Sequence, residues 1–214
     1  CIRDRNNPSF TKTQKFWILD QLLSTYFNLG DCDQAKIKGN ELIALGNEIK
    51  EPALIVTSLY KFSAAIRGQA RGKCDEKVQG KLFREARFFA QKALILWEKQ
   101  CSYDLPLKGR ILFNAAAAEC DDPYGSIAIG ISMYREALSV FEKYHQEEYR
   151  QRISIRLAKA YLLRGDLKDA WMMINNLETP EVRTKMHLDY LKAQLFIEEK
   201  DFKSASKMIE QGLK

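Results

Sequence analysis

LAKAYLLRGDLKDA, residues 157–170, holds the end of one helix, the turn that stops it and the start of a second. Gly165 supplies the left-handed backbone that ends the first helix, and Asp166 is placed to accept an orphan N–H bond from the next. Tyr161 precedes the glycine by four residues and Ala170 follows it by five, so the aromatic and the small residue meet where the helices approach. The same pattern occurs at LLSTYFNLGDCDQA (22–35), with Tyr26, Gly30, Asp31 and Ala35. It occurs again at KAQLFIEEKDFKSA (192–205), where Ala193, Phe196, Lys200, Asp201, Phe202 and Ala205 take the equivalent places.

Two looser pairs fill the middle of the chain. FREARFFAQKALILWE (83–98) sets Ala86, Ala90 and Ala93 on one face of a second helix, and its first helix is predicted over about 53–69, after Pro52. The intervening GQARGKCDEKVQGK (68–81) reads as an inserted loop or an extended helix end. LKGRILFNAAAAEC (107–120) and SIAIGISMYREALSVFEKY (126–144) form the other pair, interrupted at Asp121-Asp122-Pro123, with Gly130, Tyr134, Ala137 and Leu138 as the packing set.

A small residue, an aromatic, Gly-Asp and Ala at fixed offsets resemble the signature of tetratricopeptide (TPR) repeats. Ala35, Ala86, Gly130, Ala170 and Ala205 are 51, 44, 40 and 35 residues apart, so only the last interval approaches the usual roughly 34. The resemblance implies an all-α fold, a right-handed superhelix of about five antiparallel helix pairs with degenerate, elongated repeats. Residues 1–10 read as an irregular lead-in and 11–214 as a single repeat domain.

Composition agrees with an all-helical chain. Of 214 residues, 46% are apolar, and only 11 Gly and 5 Pro are available for tight turns. The 34 basic and 28 acidic residues, net +6, are interspersed as on a solvated surface. The one dense basic stretch, Arg67, Arg71, Lys73, Lys77 and Lys81, is the candidate for an acidic partner or, less favourably, a nucleic acid. Steep salt dependence and a continuous basic stripe would mark that reading.

Cys1, Cys32, Cys74, Cys101 and Cys120 are odd in number and lack CxxC spacing, which disfavours a disulfide framework or a zinc ribbon. They point to a reducing compartment, the cytoplasm first and the nucleus second. No apolar run is long enough for a membrane helix, and no leader opens the chain. Starting at Cys1 and stopping on an apparent helix, the chain is expected to be a piece of a longer protein, with a processed, lipid-modified Cys1 as the alternative.

Nothing in the sequence supplies a recognised catalytic set. His145 and His187 sit in no metal or nucleophile motif, and no glycine-rich phosphate loop occurs. The carboxylates mix with Lys and Arg on helix faces, and Asp121 and Asp122 read as a turn and helix start. Phe88, Phe89, Trp97 and Trp171 are expected in interhelical packing, and Cys32 and Cys120 as structural thiols. The chain is therefore expected to be no enzyme and to need no cofactor or metal.

In TPR stacks the first helices of successive pairs line a groove. Carrying that pattern over places Trp17, Asp20, Ser24 and Phe27 in it from the first pair, with Arg110 and Asn114 from a later one. Arg152, Ile155, Lys159 and Leu162 follow from the fourth, then His187, Tyr190, Gln194 and Ile197 from the fifth. TPR domains that clamp a chaperone's C-terminal carboxylate use Lys and Asn where this chain has Asp20 and Ser24, so that clamp is disfavoured. The resemblance implies a protein-binding scaffold whose groove holds a peptide or helix with apolar anchors and some acidic charge. Self-association through uncapped end repeats is a further expectation. The alternative is a ligand- or peptide-sensing domain of a larger regulator. A weaker likeness, over IRLAKAYLLRGDLKDAWMMINNLE (155–178), is to meiotic and chromosome-associated TPR proteins.

Overall fold

A computed structural model describes residues 10–175, 177 and 182–212. Among them every regular element is an α-helix: α1 (Lys12–Asn28), α2 (Cys32–Ile49), α3 (Pro52–Arg71), α4 (Glu76–Gln100) and α5 (Leu105–Asp121). Then come α6 (Ile127–Lys143), α7 (Glu147–Arg164), α8 (Leu167–Asn175), α9 (Val182–Glu198) and α10 (Phe202–Gly212). The chain divides into two compact units, Cys1–Ser126 and Ile127–Lys214.

Helix starts follow the side chains the turns supply. Thr11 and Gln14 form a capping box on α1, each side chain bonded to the other's backbone N–H. Asp31, Asp75, Asp104 and Asp201 accept the amides of Gln34, Val78, Leu107 and Ser204 at 2.9–3.1 Å. Helix ends follow the left-handed residues: Gly30 at φ +80° and Gly165 at φ +87°. At Gly165, its amide donates to the Leu162 carbonyl and that of Asp166 to the Tyr161 carbonyl, at 3.0 and 2.9 Å, the two-bond closure of a Schellman turn. Gly30 and Asp31 repeat it onto Phe27 and Tyr26, and Lys200 and Asp201 onto Ile197 and Phe196.

A fourth copy, absent from the sequence reading, closes α6. His145 takes φ +51°, and the amides of His145 and Gln146 donate to the carbonyls of Glu142 and Phe141. Phe141 stands four residues before the turn, as Tyr161 does, and stacks on Tyr149 with ring centroids 4.6 Å apart.

In the first unit, α1 pairs with α2 and α3 with α4, and α3 touches α1, α2 and α5. Three apolar clusters fill it. Phe16, Leu19, Leu23, Leu42 and Leu54 form one; Phe62, Ile66, Leu82, Phe83, Ala86 and Ala118 another; Val56, Leu59, Tyr60, Ala93, Trp97 and Ile111 the third. Close approach depends on absent side chains: a Cβ on Gly68 would stand 2.8 Å from the Phe27 ring and 2.9 Å from Cys32 Sγ. In the second unit, α6 packs on α7, α7 on α8, and α9 on α10, with α9 also against α7 and α8. Buried Tyr134, Ala137, Leu157, Tyr161, Ala170, Ile174 and Leu195 belong to that core. The Trp171 ring lies 4.9 Å from that of Phe196 and its Nε1 donates to Glu199 at 2.7 Å, the interhelical packing expected of it.

Residues 68–81 take the extended-helix-end alternative: α3 runs on to Arg71 and α4 begins at Glu76, leaving a four-residue turn. Two expectations change. Phe88 is exposed rather than packed, because the α4 register turns Phe89 inward against Phe62 at 4.8 Å and Phe88 outward. Asp121 and Asp122 are less a helix start than the acidic half of a buried ion-pair system. Asp121 holds Arg67 at 3.0 Å and also Arg71, and Asp122 holds Arg87 at 2.9 Å.

Candidate functional site

Two of the five cations of the basic stretch are engaged inside the fold, since Arg67 is only 5% exposed and shares Asp121 with Arg71. Among the described residues no group of His, Cys, Asp or Glu is arranged to hold a metal. Burial pushes the thiols of Cys32 and Cys101 upward, which keeps both protonated at neutral pH and poorly nucleophilic. No helix among the described residues is long and apolar enough to cross a membrane.

The predicted groove residues of the first unit are largely occupied by the fold. Asp20 is buried in an ion pair with Lys61 of α3, and Lys61 also donates to Ser24 Oγ at 3.3 Å. Phe27 is half-buried against Gly68. Arg110 and Asn114 of α5 are half-buried, and Asn114 Nδ2 turns back to the Arg110 carbonyl at 2.9 Å. Trp17 is the exception, 47% exposed, with its ring edge-on to Phe16.

In the second unit the predicted residues lie on α7 and α9, two helices in contact. On α7, Arg152 and Lys159 are exposed and flanked by half-buried Ile155 and Leu162. On α9, against α7, His187 and Tyr190 are exposed and Gln194 is half-buried. The repeat interval of 35 residues maps Arg152, Ile155, Lys159 and Leu162 onto His187, Tyr190, Gln194 and Ile197, so equivalent positions recur on the two helices. Arg152 is tethered by Glu148 at 3.2 Å, and Gln194 Nε2 donates to the Tyr190 hydroxyl at 3.2 Å. One member was missed. Leu163, four residues past Lys159 and therefore on the same ridge, is exposed. Its signal was present, since a leucine beside the turn glycine and outside the Tyr161 face has no packing role to fill.

α7 and α9 together carry exposed nitrogen donors and half-buried apolar side chains, groups that can fix a carboxylate and bury an apolar side chain.

No protein-family model matches the chain, and no curated protein matches it. Solved structures do. A single-residue variant of a putative kinesin light chain from Podosopora anserina, with nearly identical TPR-like repeats, is similar over 95% of both chains at 13% identity and a TM-score of 0.67. A second structure of that putative kinesin light chain is similar over 92% of this chain and 93% of its own at 12% identity, TM-score 0.65. BtubC (BKLC) from P. vanneervenii is similar over 99% of this chain and 83% of its own at 15% identity, TM-score 0.65. Those likenesses, with the ten described helices and their recurring turns, establish an all-helical fold of TPR-like repeats.

Proposed function

We propose that the chain is a non-catalytic interaction scaffold that binds a segment of another protein along the α7–α9 ridge. The observation that carries this is the recurring register on α7 and α9, which touch within one unit: Arg152 and Lys159 stand at the positions of His187 and Gln194, and Leu163 is exposed on α7. Two parallel ridges with a half-buried apolar seam, Ile155 and Leu162, suit an extended or helical segment with apolar anchors. Arg152, Lys159 and His187 set its polarity, favouring carboxylates near the anchors and speeding encounter more than deepening affinity. Buried Asp20 and half-buried Ser24, both held by Lys61, make the first unit the lesser contributor, with Trp17 as its outward contact. TPR-like folds typically serve as such scaffolds, which supports the reading by analogy of fold.

The test is capture of partners from a source-cell lysate by the wild type and by Arg152→Glu with Lys159→Glu. Circular dichroism first establishes that the helix content of the two is equal. A protein retained by the wild type and lost by the variant supports the reading. Partners indifferent to the charge reversal, or recovery of nucleic acid alone, contradict it.

A further inference from the structure

With 25 residues α4 is the longest helix among the described residues, and it packs on α3 and α5 through a face that includes Ala86, Ala90, Ala93 and Trp97. Its other side carries Lys77, Lys81, Arg84, Lys92 and Lys99, all exposed. At 3.6 residues per turn these five fall within an arc of about 80°, along about 33 Å of helix. Phe88 and Ile95 stand near the middle of that arc, 61% and 45% exposed. The carboxylates of α4 lie off it: Glu76 and Glu98 are on other faces, and Glu85, at its edge, is taken up by Lys36 of α2 at 3.3 Å. Arg87, also outside the arc, is engaged by Glu119 at 3.4 Å and Asp122 at 2.9 Å. The five cations of the arc enter no ion pair among the described residues. Lys77, Lys81 and Arg84 follow one another at i+4 and i+3, a like-charge spacing that weakens a helix and that nothing within the fold offsets.

We propose that this face docks an acidic amphipathic helix of another protein, laid along α4. Phe88 and Ile95 are seven residues apart, two turns or about 10 Å, and so match apolar side chains recurring at i, i+3 and i+7 on a partner helix. Lys81, Lys92 and Lys99 on one flank, and Lys77 and Arg84 on the other, meet carboxylates beside those anchors. Two other anionic surfaces fit less well. A bilayer takes up a broad apolar face, whereas α4 offers two side chains on a helix held by its neighbours. A nucleic acid would engage the cations through its phosphates and leave Ile95 without an apolar contact.

The face lies in the first unit and shares no residue with α7 or α9, so this reading and the proposed function fail separately. The probe is a labelled synthetic helix with leucines at i, i+3 and i+7 and glutamates on both flanks, compared with its lysine counterpart, phosphatidylserine vesicles and duplex RNA. The wild type is expected to bind the glutamate helix and not the lysine one, more weakly as salt rises. Lys81→Glu with Lys92→Glu should weaken binding at least about tenfold. Phe88→Ser should weaken it without changing the salt dependence, and Arg152→Glu with Lys159→Glu should leave it unchanged. All five substituted side chains are exposed, and equal circular dichroism of the variants establishes that each is folded. No binding of the glutamate helix, binding indifferent to the α4 substitutions, or a preference for vesicles or RNA overturns the proposal.

Discussion

Gly165 and Lys200 occupy the same turn 35 residues apart, at φ +87° and +63°, with the same pair of closing hydrogen bonds. Only one of them is glycine. An L-residue in this left-handed region is disfavoured by about 1–2 kcal/mol, because its Cβ crowds the backbone carbonyl. A Cβ at Gly165 would meet nothing within 4 Å, so Gly165→Ala incurs the backbone term alone, about 1 kcal/mol of destabilisation. Lys200→Gly relieves the same strain and loses part of the gain to the freedom of glycine in the unfolded chain, leaving roughly 0.5 kcal/mol of stabilisation. In a chain of this length 1 kcal/mol moves the melting temperature by about 2–4 °C. Thermal and urea unfolding followed by circular dichroism should therefore shift down for Gly165→Ala and up for Lys200→Gly. A neutral Gly165→Ala, or a Lys200→Gly that lowers stability, would refute the assignment of these residues to one strained turn.

Asp121→Ala leaves Arg67 buried without its carboxylate and should cost about 3 kcal/mol in urea unfolding of the first unit, since uncompensated buried charge is expensive; a loss near zero would mean that Arg67 is hydrated. At the α10 start, the side chain and amide of Ser204 hold the Asp201 carboxyl below the ordinary carboxylate range. A depressed folded value stabilises above the unfolded one, roughly 3.9, and that contribution fades as pH falls through the lower folded value. Amide protection in α10 should thus hold from neutrality to about pH 5 and decline below about pH 4, while Asp201→Asn flattens the profile; an unchanged profile in the variant would remove Asp201 from the cap.

Helix pairs were readable wherever one short segment carried both the stop and the next start. Gly30-Asp31, Gly165-Asp166 and Lys200-Asp201 each fix two helix ends locally, which is why α1, α2 and α7 to α10 could be anticipated. His145 escaped because histidine does not announce a positive φ; only Phe141, four residues earlier, hinted at it. The Arg67, Arg71 and Asp121 cluster was illegible for a different reason. Its members are some fifty residues apart, and a sequence lists the cations without showing that α5 brings a carboxylate to them. Phe88 and Phe89 show the limit of periodicity: adjacent aromatics cannot share a face, and packing against Phe62 decided which one turned in. At the candidate site, register assigned the proposed residues to α1, α5, α7 and α9. It could not reveal that Lys61 had already closed over Asp20.

The central claim is that a protein segment lies along α7 and α9. The most direct measurement is photo-crosslinking from a benzoyl-phenylalanine placed at Leu163 or Lys159, compared with one at Met172 on the exposed side of α8, with the products sequenced. The account predicts that one partner segment is trapped from both α7 positions and not from Met172. Crosslinks of equal yield at all three positions, or from Met172 alone, would contradict it.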